Sequence, residues 1–309
     1  MGVPRVTGIP DYGPGSTINY DPEIYSGKLV EKFYKSTVFG EIASTDYEGE
    51  IAAFGAQIKI RTIPDVTISN YVTGQGLTAQ YPSSASVTLV INRAKSFAVA
   101  LTLVDARQSD IDMADVFTND ASIQLRIAAD ADLLTTIPAQ VASANHGTKA
   151  GVDSQSINLG DSTHPFVVTS TNILNFVVDC GTVLDEQNVP DEGRWMVAPP
   201  WFMGHLKKSD LRIASLAGDG VSIARNGKVG EVDRFTLYQS RNCLTQVSPG
   251  QANYILFGHS AALTFAAQIL ENEMINNPND FGYIIRGLMV YGYNTIAPNY
   301  MATAVVQRG

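Results

Sequence analysis

The chain has 309 residues, 45% hydrophobic and 17% charged, which is enough to bury a full core and excludes an intrinsically disordered chain. A formal net charge of −9 argues against a basic groove that grips nucleic acid or acidic lipid. The 26 glycines and 14 prolines point to many turns rather than a helical bundle, and at about 150 residues per domain the length is a prior for two lobes.

The first segment, Met1 to Pro22, carries Pro4, Pro10, Pro14 and Pro22 and cannot hold a helix. It reads either as a frayed terminus or as an arm lying extended on a neighbouring subunit. It lacks an apolar run of signal-peptide length, and nowhere do uninterrupted apolar residues reach the ~18 of a membrane span, so a soluble chain made in a cytoplasm is expected. Tyr25, Leu29 and Phe33 fall on one stripe and predict a short helix from Glu23 to Lys35.

The period then changes. Gln57-Ile58-Lys59-Ile60-Arg61 alternates as a half-buried strand does, and alternation returns at Val87 and Leu89 and again from Phe97 to Leu103. Between lies a polar stretch with Asn70, Tyr71, Gly74, Gly76, Tyr81 and Pro82, so the pattern predicts a long hairpin. Its tip has few large aliphatic side chains and is expected to meet another chain rather than its own core. A long amphipathic helix follows from about Asp110 to Thr136. Met113, Val116, Ile123, Ile127, Ala131 and Leu134 form its predicted apolar stripe, with Asp130 on the polar face. Asp110, Asp112 and Asp115 suit its positive N-terminal end.

Ser143 to Ser162 reads as a linker into a second lobe. There a helix is predicted from Ser170 to Asp185, capped by Ser170 or Thr171, then a buried strand Arg194–Ala198 and a helix from Pro199-Pro200 through Leu206. Gly218-Asp219-Gly220 and Asn226-Gly227 are turn signals. Phe235–Leu237 and Tyr254–Phe257 read as strands, Ala261 to Leu270 as an alanine-rich helix, and Tyr283 to Val306 as interrupted strands.

The search for chemistry is nearly empty. Gly258-His259-Ser260 begins like a nucleophile elbow, but Ala262 replaces the closing glycine, and a helix cap at Ser260 is the simpler reading. His146, His164, His205 and His259 lack metal-ligand spacing, and the aspartates at 110–115 lack the glycine and glutamate of a calcium loop. Gly74-x-Gly76 and Gly218-x-Gly220 are too short for a dinucleotide fingerprint. Cys180 and Cys243 make neither a disulfide framework nor a zinc site and read as small core residues. No catalytic residue, cofactor or metal is expected.

The order of parts resembles the major capsid proteins of tailed bacteriophages, an α+β fold shared with herpesvirus shells and encapsulin compartments. The resemblance runs through Asp46–Ile51 into Gly55–Ile60, Asn70-Tyr71, Leu89 to Ala100, and Asp105 to Asp115 before the long helix. In the second half it is carried by Arg225–Val232, Asn279–Gly282 and Gly287–Gly292.

That resemblance implies an N-terminal arm at 1–23, a short helix and the start of a peripheral lobe at 24–54, and an extended loop at 55–93. It implies the peripheral lobe with its spine helix at 94–165, an axial α/β lobe at 166–270, and C-terminal strands returning to the peripheral lobe at 271–309. It also implies self-assembly through pentamers and hexamers into an icosahedral shell around double-stranded DNA, formed in the host bacterial cytoplasm and ending in the virion. Subunit contacts are then expected at Tyr71, Gly74, Gln75 and Tyr81 of the loop and at Asp219 and Arg225 near the axes. The implied partners are a separate scaffolding protein, a portal protein and a decoration protein, with DNA enclosed but not specifically bound and no membrane. Some relatives cross-link a loop lysine; Lys59 is the only lysine between Gly55 and Arg93 and lies in the strand, so no cross-link is expected. Two alternatives remain: an encapsulin-like compartment, against which the extended arm argues, and a hydrolase using Ser260 with His205 or His259.

Overall fold

The computed structural model describes residues 35, 37–45, 57–64, 66–71, 73–74, 76, 79–83, 86–103, 113–209, 230–246, 251–278 and 280–309, with the backbone alone at 268–271. The expected arm, the helix at Glu23 to Lys35 beyond Lys35 itself, and both turn signals at 218–227 lie outside these residues.

In chain order, α1 (Phe39–Ile42) precedes the hairpin of β1 (Gln57–Arg61) and β2 (Ser86–Val90), and β3 (Arg93–Thr102) leads to the long helix α2 (Met113–Thr136). β4 (Phe166–Val168), α3 (Ile173–Asp185), β5 (Arg194–Ala198), α4 (Pro200–Lys208), β6 (Glu231–Val232) and β7 (Phe235–Gln239) follow. The chain closes with β8 (Thr245–Gln246), β9 (Ala252–His259), β10 (Leu263–Asn276), β11 (Gly282–Thr295) and β12 (Met301–Arg308).

Three sheets result among the described residues. β1 and β2 pair alone, Gln57 opposite Val90 through Arg61 opposite Ser86. β10, β11 and β3 form an antiparallel sheet in that order, and a mixed sheet runs β4-β12-β9-β5-β7-β6 with β8 on β9. α3 and α4 cover one face of the mixed sheet with Phe176, Val177, Cys180, Phe202 and Leu206. All five residues of β5 are buried, as expected of a strand covered on both faces. The second core joins the last turns of α2 to the other face of that sheet and to Phe265, Met289 and Tyr291 of the three-stranded one.

Five expectations need correction. The segment expected to be an alanine-rich helix is a short 3-10 turn, Ser260–Ala262, followed by β10. Alanine prefers helix, but β10 gains a partner over almost its whole length in β11, from Leu263 opposite Thr295 to Asn276 opposite Tyr283, and tertiary pairing outweighs intrinsic propensity. The C-terminal strands also divide: β11 joins the three-stranded sheet, whereas β12 pairs with β9 and β4 in the mixed one, so 271–309 does not return as a unit.

The linker expected at 143–162 is packed structure. Ala150 and Leu159 are fully buried, and the Asn145 amide donates to the carbonyls of Asn299 and Met301 while accepting from Gln187. Gly160 at φ +74° lets this segment pass where a Cβ would strike the Phe166 nitrogen. Lastly, the buried stripe of α2 runs through Leu125, Ala129, Leu133 and Leu134, and Asp130 lies within it, while Val116 stays exposed. The helix turns this face inward because the carboxylate finds three donors there. α3 begins at Asn172 rather than at a Ser170 or Thr171 cap; the Asn172 amide accepts from the Thr169 N–H and donates to the Val167 carbonyl.

Candidate functional site

The elbow-like segment does not assemble a nucleophile. His259 Nδ1 accepts the Ala261 N–H at 3.0 Å, so His259, not Ser260, caps the turn. Ser260 donates its N–H to the Gly193 carbonyl, and His205 sits on α4 against Trp201, ring centroids 5.9 Å apart. Among the described residues no hydrogen bond joins Ser260 to either histidine. Both cysteines are buried, and burial pushes the Cys243 thiol up to about 12 and Cys180 well above its ordinary value, which makes neither a thiolate near neutral pH. Clefts of about 470 and 430 Å³ are shallow surface features. The first lies over β3 and β11 beside the Arg286–Glu273 ion pair, and the second beside His146, Asp161 and Tyr254.

The hairpin is built differently from either core. Its base is apolar: Ile60, Leu89 and Ile91 pack with Ala266, supported by Ile58 and Val290. Asn294 ties it to β11 by donating to the Thr88 carbonyl at 2.9 Å. Gly292 lets β11 run directly beneath the corner at Val90 and Ile91, where a Cβ would lie 2.9 Å from Ile91 Cα. Beyond the base the hairpin leaves its own core. Ile63 is 94% exposed, Ile68 88%, Tyr71 70% and Tyr81 93%. What closes it is polar: the Thr67 N–H donates to Gln80 Oε1, and Gln80 Nε2 donates to the Thr67 carbonyl. Gly74 stands at φ +89° with no atom near its Cβ position. Tyr71, Gly74 and Tyr81 therefore share one exposed extension, while Gln75, Asp219 and Arg225 lie outside the described residues.

Two features that the sequence reading missed frame this scaffold. Asp130, fully buried, accepts the N–H groups of Val38 and Phe39 at 2.9 and 3.0 Å and the Asn242 amide at 2.7 Å. It thereby fastens α1 and the loop after β7 to the long helix. Burial pushes its carboxyl above the usual range, and the three donors only partly offset this. The second is an ionic cluster: Arg194 donates to Asp185 at 2.7 Å, and Arg234 bridges Asp185 and Asp191. A charged residue heading the apolar run Arg194–Ala198 was its only sequence signal.

Solved structures share this architecture along almost the entire chain. A chain of Mycobacterium phage Che8 matches with a TM-score of 0.76 at 22% identity, covering 92% of this chain and 97% of that one. The capsid structure of cyanophage P-SCSP1u matches with a TM-score of 0.71 at 15% identity over 100% and 99% of the two chains. The mature capsid of bacteriophage PhiM1 gives 0.66 at 16% identity over 96% and 94%. The chain has the phage capsid fold. No family model matches the sequence, and no curated protein does. Within the capsid fold, the exposed hairpin is a surface that packing among the described residues does not explain.

Proposed function

We propose that this chain is the major capsid protein of a tailed phage, assembling through pentamers and hexamers into an icosahedral shell around double-stranded DNA. The observation that carries this reading is the end-to-end likeness to capsid chains, joined to a hairpin that holds Ile63, Ile68, Tyr71 and Tyr81 out to solvent in a lone subunit. A wall that encloses dense DNA gains from a net charge of −9, because tight phosphate contacts would hinder packing and release. The role is structural and non-enzymatic.

Within this reading the arm at 1–23 and the loop at 55–93 reach neighbouring subunits. α2 with β3, β10 and β11 forms the peripheral lobe, and the mixed sheet with α3 and α4 forms the axial lobe. The partners are further copies of the chain, a scaffolding protein, a portal and a decoration protein, with assembly in the host cytoplasm. Light scattering and negative-stain microscopy of the purified chain, alone and with its scaffold, test the reading. Closed shells or rings of five and six are expected; a stable monomer under both conditions overturns it. Denaturing gels of mature shells are expected to show this chain at its monomer mass alone, since Lys59 is held in β1, and a ladder of its multiples would contradict the absence of cross-links.

A further inference from the structure

The hairpin of β1 and β2 joins the rest of the subunit at a tight corner. β2 ends at Val90, and β3 starts soon after in a different sheet, where Arg93 opposite Tyr291 is the last register pair with β11. Ile91 is buried in the apolar base, Asn92 is exposed, and Arg93 follows. The packing of Ile60, Leu89 and Ile91 on Ala266 holds the hairpin down. Such packing is non-directional and does not choose the angle at which the hairpin departs. That choice falls to polar ties, whose donors and acceptors have a required geometry.

Arg93 makes such a tie. Its Nη1 donates to Oδ1 and Oδ2 of Asp132 on α2, at 3.1 and 2.9 Å, and its guanidinium carbon lies 4.5 Å from the centroid of the Tyr293 ring. Asp132 is held in turn from β11. The Tyr291 hydroxyl donates to its Oδ2 at 2.9 Å, and the Tyr293 hydroxyl donates to its backbone carbonyl at 3.0 Å. Burial first, then the hydrogen bond and charge of Asp132, raise the Tyr291 hydroxyl above its ordinary value, so it remains a donor at neutral pH. The two tyrosine rings stack with centroids 6.3 Å apart, which steadies the face on which the guanidinium lies. Asp130 fastens α1 and the loop after β7 instead, so neighbouring carboxylates of α2 serve different elements. Arg93 and Asp132 are both half-buried, and ion pairs of that exposure contribute little to stability. A planar donor on a fixed acceptor and a fixed ring gives direction.

We propose that Arg93, held on Asp132 and Tyr293, is a positioning residue that sets the direction in which the β1–β2 hairpin projects for assembly. This rests on the shell reading above, in which the hairpin reaches a neighbouring copy. A subunit whose hairpin wanders is competent to join for only part of the time, and its apparent affinity falls by that fraction.

The test places spin labels on the full chain at Ser83→Cys in the hairpin and Asn119→Cys on α2. Both positions are exposed, whereas Cys180 and Cys243 are buried and stay unlabelled. The distance between the labels is measured in the unassembled chain, and the parent is expected to show one narrow distribution. Arg93→Ala is expected to widen it, to lower the melting temperature by no more than about 4 °C, and to raise the concentration at which scattering detects assembly by about fivefold or more. Asp132→Asn keeps an oxygen for the Tyr291 hydroxyl and widens the distribution less. Added to Arg93→Ala it widens it no further, because both changes break one tie. Lys95→Ala, which removes an exposed cation from the same strand, leaves the distribution unchanged. The proposal is overturned if the parent distribution is already as wide as the variant's, or if folded Arg93→Ala keeps the parent distribution. It is equally overturned if the double variant is wider than Arg93→Ala, if Lys95→Ala widens as much, or if widening leaves assembly unchanged. Should Arg93→Ala fail to fold, Arg93→Met keeps the aliphatic stem and is read in its place. A parent chain that never assembles strikes the shell reading instead, because the label distances are read without any shell.

Discussion

Asp130 spends its carboxylate on two backbone N–H groups and one amide, all from segments remote in sequence. Asp130→Ala leaves those donors buried without an acceptor, and removal of a charged hydrogen-bond acceptor of this kind costs about 3 kcal/mol. Thermal or urea unfolding should show that loss, and a change within error would mean that solvent reaches the pocket. The two carboxylates Asp130 and Asp185 also carry opposite pH dependences. Burial raises the folded pKa of Asp130 above its unfolded value, so its contribution is fully present below the unfolded value and lost as pH rises through the folded one. For Asp185, burial works upward, but Arg234 and Arg194 reverse it and leave the folded pKa depressed. Its contribution is present above the unfolded value near 3.8 and lost as pH falls through the folded one. Arg234→Ala should therefore shrink the fall in stability between neutral and acid pH. Melting curves at both pH values check this, and an unchanged acid loss would remove the cluster from the acid response.

At the level of elements, legibility followed how far local pattern and tertiary pairing agreed. β1, β2 and β5 were readable because alternation or an unbroken apolar run has one good solution in each. β10 was not, since its alanines speak for helix, and the turn signals at Asn277-Pro278 and Asp280 mark where it ends without saying which strand it pairs with. The face of α2 was misread for a related reason: a carboxylate normally marks the wet side, and only the donors at 38, 39 and 242 make it belong inside. Gly292 carries a prediction at this scale. A Cβ there would meet backbone of Val90 and Ile91, which cannot swing aside as a flexible side chain can. Gly292→Val is expected to cost about 1–3 kcal/mol by overpacking and to displace the hairpin base. Unfolding measurements would show the first effect and reduced assembly the second; a variant as stable and as competent as the parent would mean that the corner yields.

Across the whole molecule, the order of elements was legible where single motifs were not, because a long polar connection between two strands is hard to reconcile with a chain that packs only on itself. The tip tyrosines followed from that argument. The ionic cluster did not, since Asp185, Asp191, Arg194 and Arg234 are brought together only by the fold. The tip also separates folding from assembly in one experiment. Tyr71 and Tyr81 are 70% and 93% exposed and touch neither core, so Tyr71→Ala and Tyr81→Ala should leave melting within about 0.5 kcal/mol of the parent, as surface substitutions generally do. If the extension seats on a neighbour, each truncation removes a large amphipathic contact, and such aromatic anchors typically carry about 1–2 kcal/mol or more of an interface. Because every copy in a shell repeats the contact, the loss multiplies, and the concentration needed for assembly should rise by about tenfold per 1.4 kcal/mol. Assembly unchanged in the double variant, with melting also unchanged, would show that the hairpin projects without a partner.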